Sequence, residues 1–89
     1  MPELECIITI IDEIGNDRSV PKNIRTSIQK VKEDLKNEKL DKSVRISSAI
    51  SILDEATNDS NLPVYTRTQI MSVVSQLEAI NRSYSNPKT

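Results

Sequence analysis

The chain predicts an all-α fold, a four-helix up-and-down bundle built from two related helical hairpins. Three observations carry that prediction: an internal duplication, apolar residues at helical spacing, and Pro-bearing turns at matching places in both halves. The stretch Leu53–Leu77 lies without a gap on Ile11–Leu35 when moved back by 42 residues, and ten of the 24 positions from Asp12 to Leu35 are identical. The identical pairs are Asp12/Asp54, Glu13/Glu55, Asn16/Asn58, Asp17/Asp59, Pro21/Pro63, Arg25/Arg67, Thr26/Thr68, Ile28/Ile70, Val31/Val73 and Leu35/Leu77. Unrelated segments would agree at only about one or two such positions.

The first helix is expected from about Pro2 to Asn16, because Leu4, Ile7, Ile8, Ile11 and Ile14 form an i, i+3, i+4, i+7 stripe. Pro2 suits a first turn, Glu3 and Glu5 suit the positive end of the helix dipole, and Gly15 with Asn16 should stop the helix. The second helix, roughly Pro21 to Asn37, carries Ile24, Ile28, Val31 and Leu35 inward, with Lys30, Lys32, Glu33, Asp34 and Lys36 on the wet side. Pro21 can occupy an early helical position, where its missing N–H has no partner to lose. Residues 37–42 join the copies, with Asp41 or Ser43 as N-cap of the third helix. Its stripe of Ile46, Ala49, Ile50, Leu53 and Ala56 matches the first helix position for position. Pro63 opens the fourth helix, whose expected buried face is Ile70, Val73, Val74, Leu77 and Ile80. Residues 1–82 thus form one domain, with pseudo-repeats at about 2–38 and 44–80, and residues 83–89 read as a flexible polar tail. The alternative arrangement is a HEAT-like stack of two hairpins, since that repeat has a period of about 40–47 residues. A stable solenoid needs about three repeats or more, which favours the closed bundle.

Composition narrows function mainly by exclusion. At 89 residues with 12 basic and 13 acidic residues, the net charge is −1, and both signs read as mixed over one surface. That balance argues against a broad electrostatic grip on nucleic acid or anionic lipid. The chain has no His, Trp or Phe and a single cysteine, Cys6, which rules out an intramolecular disulfide and removes the commonest general base and metal ligand. The acidic start, lacking a signal-peptide pattern, reads as a mature cytoplasmic protein, and no apolar run reaches the roughly 18 residues of a membrane span. No catalytic, cofactor-binding or metal site is expected.

The repeated signature Asp-Glu-x-x-Asn-Asp-x-x-x-Pro-x-x-x-Arg-Thr leaves two readings open. It could form a carboxylate cluster for a hard cation, or a structural polar network in which Asp17, Arg25, Asp59 and Arg67 lock each hairpin corner. The ends of the first and third helices carry Asp12, Glu13, Asp54 and Glu55, for which Arg25 and Arg67 are the expected counter-ions. Val64, Tyr65 and Arg67 form the candidate interaction surface, an exposed tyrosine beside an arginine being a common contact hot spot. The rival reading packs Tyr65 against a neighbouring helix.

The segments VPKNIR (20–25), AISILDEATND (49–59), NLPVYTRTQI (61–70) and VVSQLEAI (73–80) resemble a family of small archaeal proteins carried under an uncharacterised-protein-family label. The resemblance implies a four-helix bundle in an archaeal cytoplasm and brings no activity, cofactor or site. The expected function is a non-enzymatic protein-interaction module that binds an unidentified protein or another copy of itself. The alternatives are a nucleic-acid-associated accessory protein using Lys30, Lys32, Lys36, Lys39 and Lys42, and a metal-dependent enzyme using the repeated carboxylates.

Overall fold

The computed structural model describes residues 2–85, with side chains described over residues 4–83. Four helices follow one another, α1 (Pro2–Gly15), α2 (Lys22–Lys36), α3 (Lys42–Ala56) and α4 (Val64–Ser85). Each helix packs on its neighbour in sequence, α1 on α2, α2 on α3 and α3 on α4, and a thinner α1–α4 contact closes the ring. Among the described residues, the backbones of the α1–α3 and α2–α4 pairs do not approach closely. A HEAT-like stack would bring those like helices of successive repeats together, so the arrangement is the up-and-down bundle.

The core is nearly free of aromatic and polar groups. Leu4, Ile7, Ile11 and Ile14 of α1 face Ile46, Ala49, Leu53 and Ala56 of α3 across the bundle axis, all of them buried. From α2 come Ile24, Ile28, Val31 and Leu35, and from α4 Ile70, Val73 and Leu77. Burying one such aliphatic side chain contributes about 1.5–3 kcal/mol, so these stripes account for the helix faces. Ile8 and Ile50 sit at matching edges, partly buried, as do Ile10 and Ile52, so these edge isoleucines complete the core. Val74 and Ile80, expected to be buried, are only partly so.

Several expectations require correction. Asp34 belongs to the interior, not to the wet face, with 7% of its surface exposed. Thr66, which stands where α2 has Ile24, is also buried. Val20 and Leu62, in the turns, close the end of the core. Pro21 is the N-cap residue, not the first helical residue, with φ −53° and ψ 146°. Asp41 occupies the same place before α3 with nearly the same dihedrals, φ −59° and ψ 149°, but its side chain makes no capping bond. Gly15 ends α1 without a left-handed residue, since no residue among those described has positive φ. That is why Thr57, at φ −69° and ψ −13°, can follow α3 where Gly15 stands in the first copy. The expected tail begins later, because α4 continues through Ser85; residues 86–89 lie outside the described residues.

Candidate functional site

The three turns are built alike, although the duplication relates only the first and third. In each, an Asp or Asn ends the preceding helix with an amide bond three residues back: Asp17 to Ile14 O, Asn37 to Asp34 O and Asp59 to Ala56 O, each 3.2 Å. The same side chain then accepts the amide two residues on, Ser19 N to Asp17 Oδ1 at 2.9 Å, Lys39 N to Asn37 Oδ1 at 3.0 Å and Asn61 N to Asp59 Oδ1 at 2.8 Å. These are Asx turns, which suit Asp and Asn because their short side chains imitate the next backbone carbonyl. An apolar residue follows (Val20, Leu40 or Leu62), then the N-cap, whose carbonyl accepts the amide of an arginine four residues later.

That arginine folds back over the turn. Arg25 Nε donates to Val20 O at 3.2 Å and Arg45 Nε to Leu40 O at 2.9 Å. Arg67 uses Nη2 on Asp59 O at 2.8 Å, which leaves its buried Nε without a partner. The corner network of Asp17, Arg25, Asp59 and Arg67 is therefore one of side chains bonded to backbone, not of Asp–Arg ion pairs. Asp17 and Asp59 are held below the usual carboxylate range, Asp17 chiefly by the Ser19 hydroxyl at 2.6 Å and Asp59 chiefly by the Asn61 amide. The middle turn was missed in the sequence because its identity with the others is short: Asn37-x-x-Leu40-Asp41-x-x-x-Arg45 against Asp-x-x-Val/Leu-Pro-x-x-x-Arg. Reading Asn for Asp and Asp for Pro would have found it.

The counter-ion for the end of α1 is also not the one expected. Asp12 meets Lys32 Nζ of α2 at 2.7 Å. Lys30 Nζ lies 3.3 Å from Asp34, whose other oxygen accepts the Ser48 hydroxyl of α3 at 2.9 Å. Two of the five lysines assigned to nucleic-acid contact are thereby paired with carboxylates of the bundle. The two signs are not evenly mixed either, because nine of the 12 basic residues fall between Arg18 and Arg45. The repeated carboxylates stay apart, and among the described residues no group of three His, Cys, Asp or Glu side chains is placed to hold a metal ion. Near one end of the bundle Asn23 Nδ2 donates to Asp59 Oδ2 at 3.2 Å, tying the start of α2 to the third turn. A shallow depression beside it is lined by Ser27, Ile52, Glu55 and Asn58 as well.

The candidate surface is divided. Arg67 turns inward to its corner, whereas Val64 and Tyr65 stay in solvent at 79% and 72% exposure, so Tyr65 does not pack on a neighbouring helix. About two turns further on, Met71 is also exposed, at 57%. The sequence reading passed over Met71, although its seven-residue spacing from Val64 puts both on one face of α4. From Val64 to Leu77 the only charge is Arg67, against six charges from Lys22 to Leu35 in the matching stretch of the first copy. The outward side of α4 is therefore nearly free of charge as far as Leu77, and no helix among the described residues is long and apolar enough to cross a membrane.

A family model matches residues 2–80, that of the uncharacterised protein family UPF0147. A Methanococcus protein of unknown function is similar in structure, with a TM-score of 0.82 and 42% identity over 85% of this chain and 86% of its own. A protein of the same family from Thermoplasma acidophilum has a TM-score of 0.85 and 34% identity, over 89% of this chain and 93% of its own. No curated protein matches. Matched over nearly its whole length, the chain belongs to the UPF0147 family.

Proposed function

We propose that the chain is a non-enzymatic interaction module of the cytoplasm that binds another protein through the outward face of α4. The observation that carries this reading is the exposure of Val64, Tyr65 and Met71 on a stretch of helix almost without charge. Depletion of charge together with Tyr and Met is the composition that marks the centre of protein interfaces. Apolar side chains left in water on a small domain are worth explaining when they gather on one element, because the same residues buried against a partner would lose that exposed area. Among the described residues the buried polar ones are Thr66 and Asp34, the latter occupied by Lys30 and Ser48.

The test is capture from native lysate with the tagged full chain, with and without nuclease, comparing wild type with Tyr65→Ala/Met71→Lys. The expected result is a protein retained through nuclease treatment and lost in the double variant, with unchanged helicity by circular dichroism. Retention that disappears with nuclease, or that survives the double substitution, would overturn the reading.

A further inference from the structure

The exposed side of α4 carries more order than three apolar residues. Val64, Thr68, Met71, Ser75, Glu78 and Arg82 follow one another at spacings of 4, 3, 4, 3 and 4, and all six are exposed. This is the spacing of a helical seam, one straight stripe opposite the buried Ile70, Val73 and Leu77. We infer that this stripe pairs with the same stripe of a second copy of the chain, antiparallel and about a twofold axis. The inference rests on the interaction reading above and names its partner.

The choice of occupant comes from charge. The stripe is neutral from Val64 to Ser75, so a partner presenting a charged face would lose hydration there and find no counter-ion. A complementary face must itself be neutral over that length, with its charges at one end, and this stripe has that form. Both of its charges, Glu78 and Arg82, lie at the C-terminal end. Parallel pairing in register would set Glu78 against Glu78 and Arg82 against Arg82, like charges side by side. Antiparallel pairing removes both conflicts. It lays Arg82 of one copy along Val64 of the other, where the aliphatic stem covers the valine and the guanidinium stays in water. It sets Glu78 by Thr68, whose hydroxyl donates to Val64 O of its own helix at 3.1 Å and would have to exchange that bond for one to the carboxylate, and Met71 by Ser75 near the axis. Every contact occurs twice, as an isologous interface requires.

The experiment measures the mass of the full chain by sedimentation across a wide concentration range, for wild type and for Met71→Lys. The expected wild-type result is a concentration-dependent species of twice the 10.0 kDa chain mass. Met71→Lys brings two like charges to the axis and should weaken association by about tenfold or more, without changing the circular dichroism spectrum. Orientation is read by disulfide trapping in a Cys6→Ser background. A mixture of Met71→Cys and Ser75→Cys chains should cross-link faster than either alone, because antiparallel pairing brings residues 71 and 75 together. A wild type that is monomeric throughout, a dimer indifferent to Met71→Lys, or faster cross-linking of Met71→Cys to itself would each overturn the inference. If the chain is monomeric and Tyr65→Ala/Met71→Lys still loses a captured partner, only the self-pairing fails and the interaction reading stands.

Discussion

The duplication relates the α2–α3 seam to the α4–α1 seam, yet the two are built differently. Across α2–α3, Asp34 accepts the Ser48 hydroxyl at 2.9 Å and Asn23 donates to Asp59 at 3.2 Å. Moved by 42 residues, these pairs become Gln76 with Cys6 and Tyr65 with Asp17. Neither pair bonds: Gln76 turns to Ser72 on its own helix at 3.2 Å, Cys6 and Tyr65 are exposed, and Asp17 is occupied by Ser19. The α4–α1 contact is correspondingly the thinnest in the ring. The duplicated chain keeps one apolar core while, among the described residues, only one of its two inter-hairpin seams is fastened by polar side-chain bonds. The fastened seam is the one already joined by a turn, and the other leaves α4 as the neutral edge of the molecule.

The largest effect should appear where the copies remain equivalent. Ile28→Ala and Ile70→Ala each remove a fully buried side chain at matching positions, and each should lower stability by about 2–5 kcal/mol in urea titration. Clearly unequal losses would show that the cores, and not only the seams, have diverged. Next in size, Asp34→Ala leaves the Ser48 hydroxyl unpaired and should lower stability by about 1–3 kcal/mol. Its counterpart Gln76→Ala should stay within about 0.5 kcal/mol. A double-mutant cycle of Asp34 with Ser48 would isolate the cross-seam bond.

The corners offer a smaller comparison. Arg45→Ala should lower stability by about 1 kcal/mol, as should Arg25→Ala, since each gives up one partly buried bond to a turn carbonyl. If Arg45 proved silent, the middle turn would not be the equivalent of the first. Transplanting the fastening should sharpen the contrast: Cys6→Ser/Gln76→Asp should add up to about 1 kcal/mol, and neither single change should do so.

The smallest expected effect is one of pH. Asp17 and Asp59 have folded values below their unfolded ones, so their contribution is present above the unfolded value and is lost as pH falls through the folded one. Thermal melts in the acid range should show a steeper decline for wild type than for Asp17→Asn/Asp59→Asn. Asn37, neutral in the same Asx turn, already shows that this turn geometry does not require a charge.

How much was legible follows from which interactions have a short sequence signal. Helical periodicity placed the core because a stripe at i, i+3 and i+4 can be buried only on one side, and α1 and α3 agree with it except at Ile8 and Ile50, which are partly buried. The first and third corners stood out through their shared Asp, Pro and Arg. The middle corner stayed hidden because Asp41 replaces proline there, and only its dihedrals reveal the equivalence. Asp34 was misplaced for a similar reason, since a carboxylate on a charged helix reads as solvated until Ser48 is seen across the seam. Arg67, grouped with Tyr65 by proximity in sequence, belongs to the turn because residues two apart on a helix point about 200° apart.

By itself, then, the chain determined four amphipathic helices, their order, the duplicated hairpins and a core of aliphatic residues, all consequences of local periodicity and turn chemistry. The number of repeats already favoured hairpins closed into a bundle over a stack; tertiary structure alone decided which polar groups meet across α2–α3 and which face of α4 remains uncovered. Those outcomes depend on residues far apart in sequence arriving at the same point, and spacing along a single helix carries no record of what lies opposite.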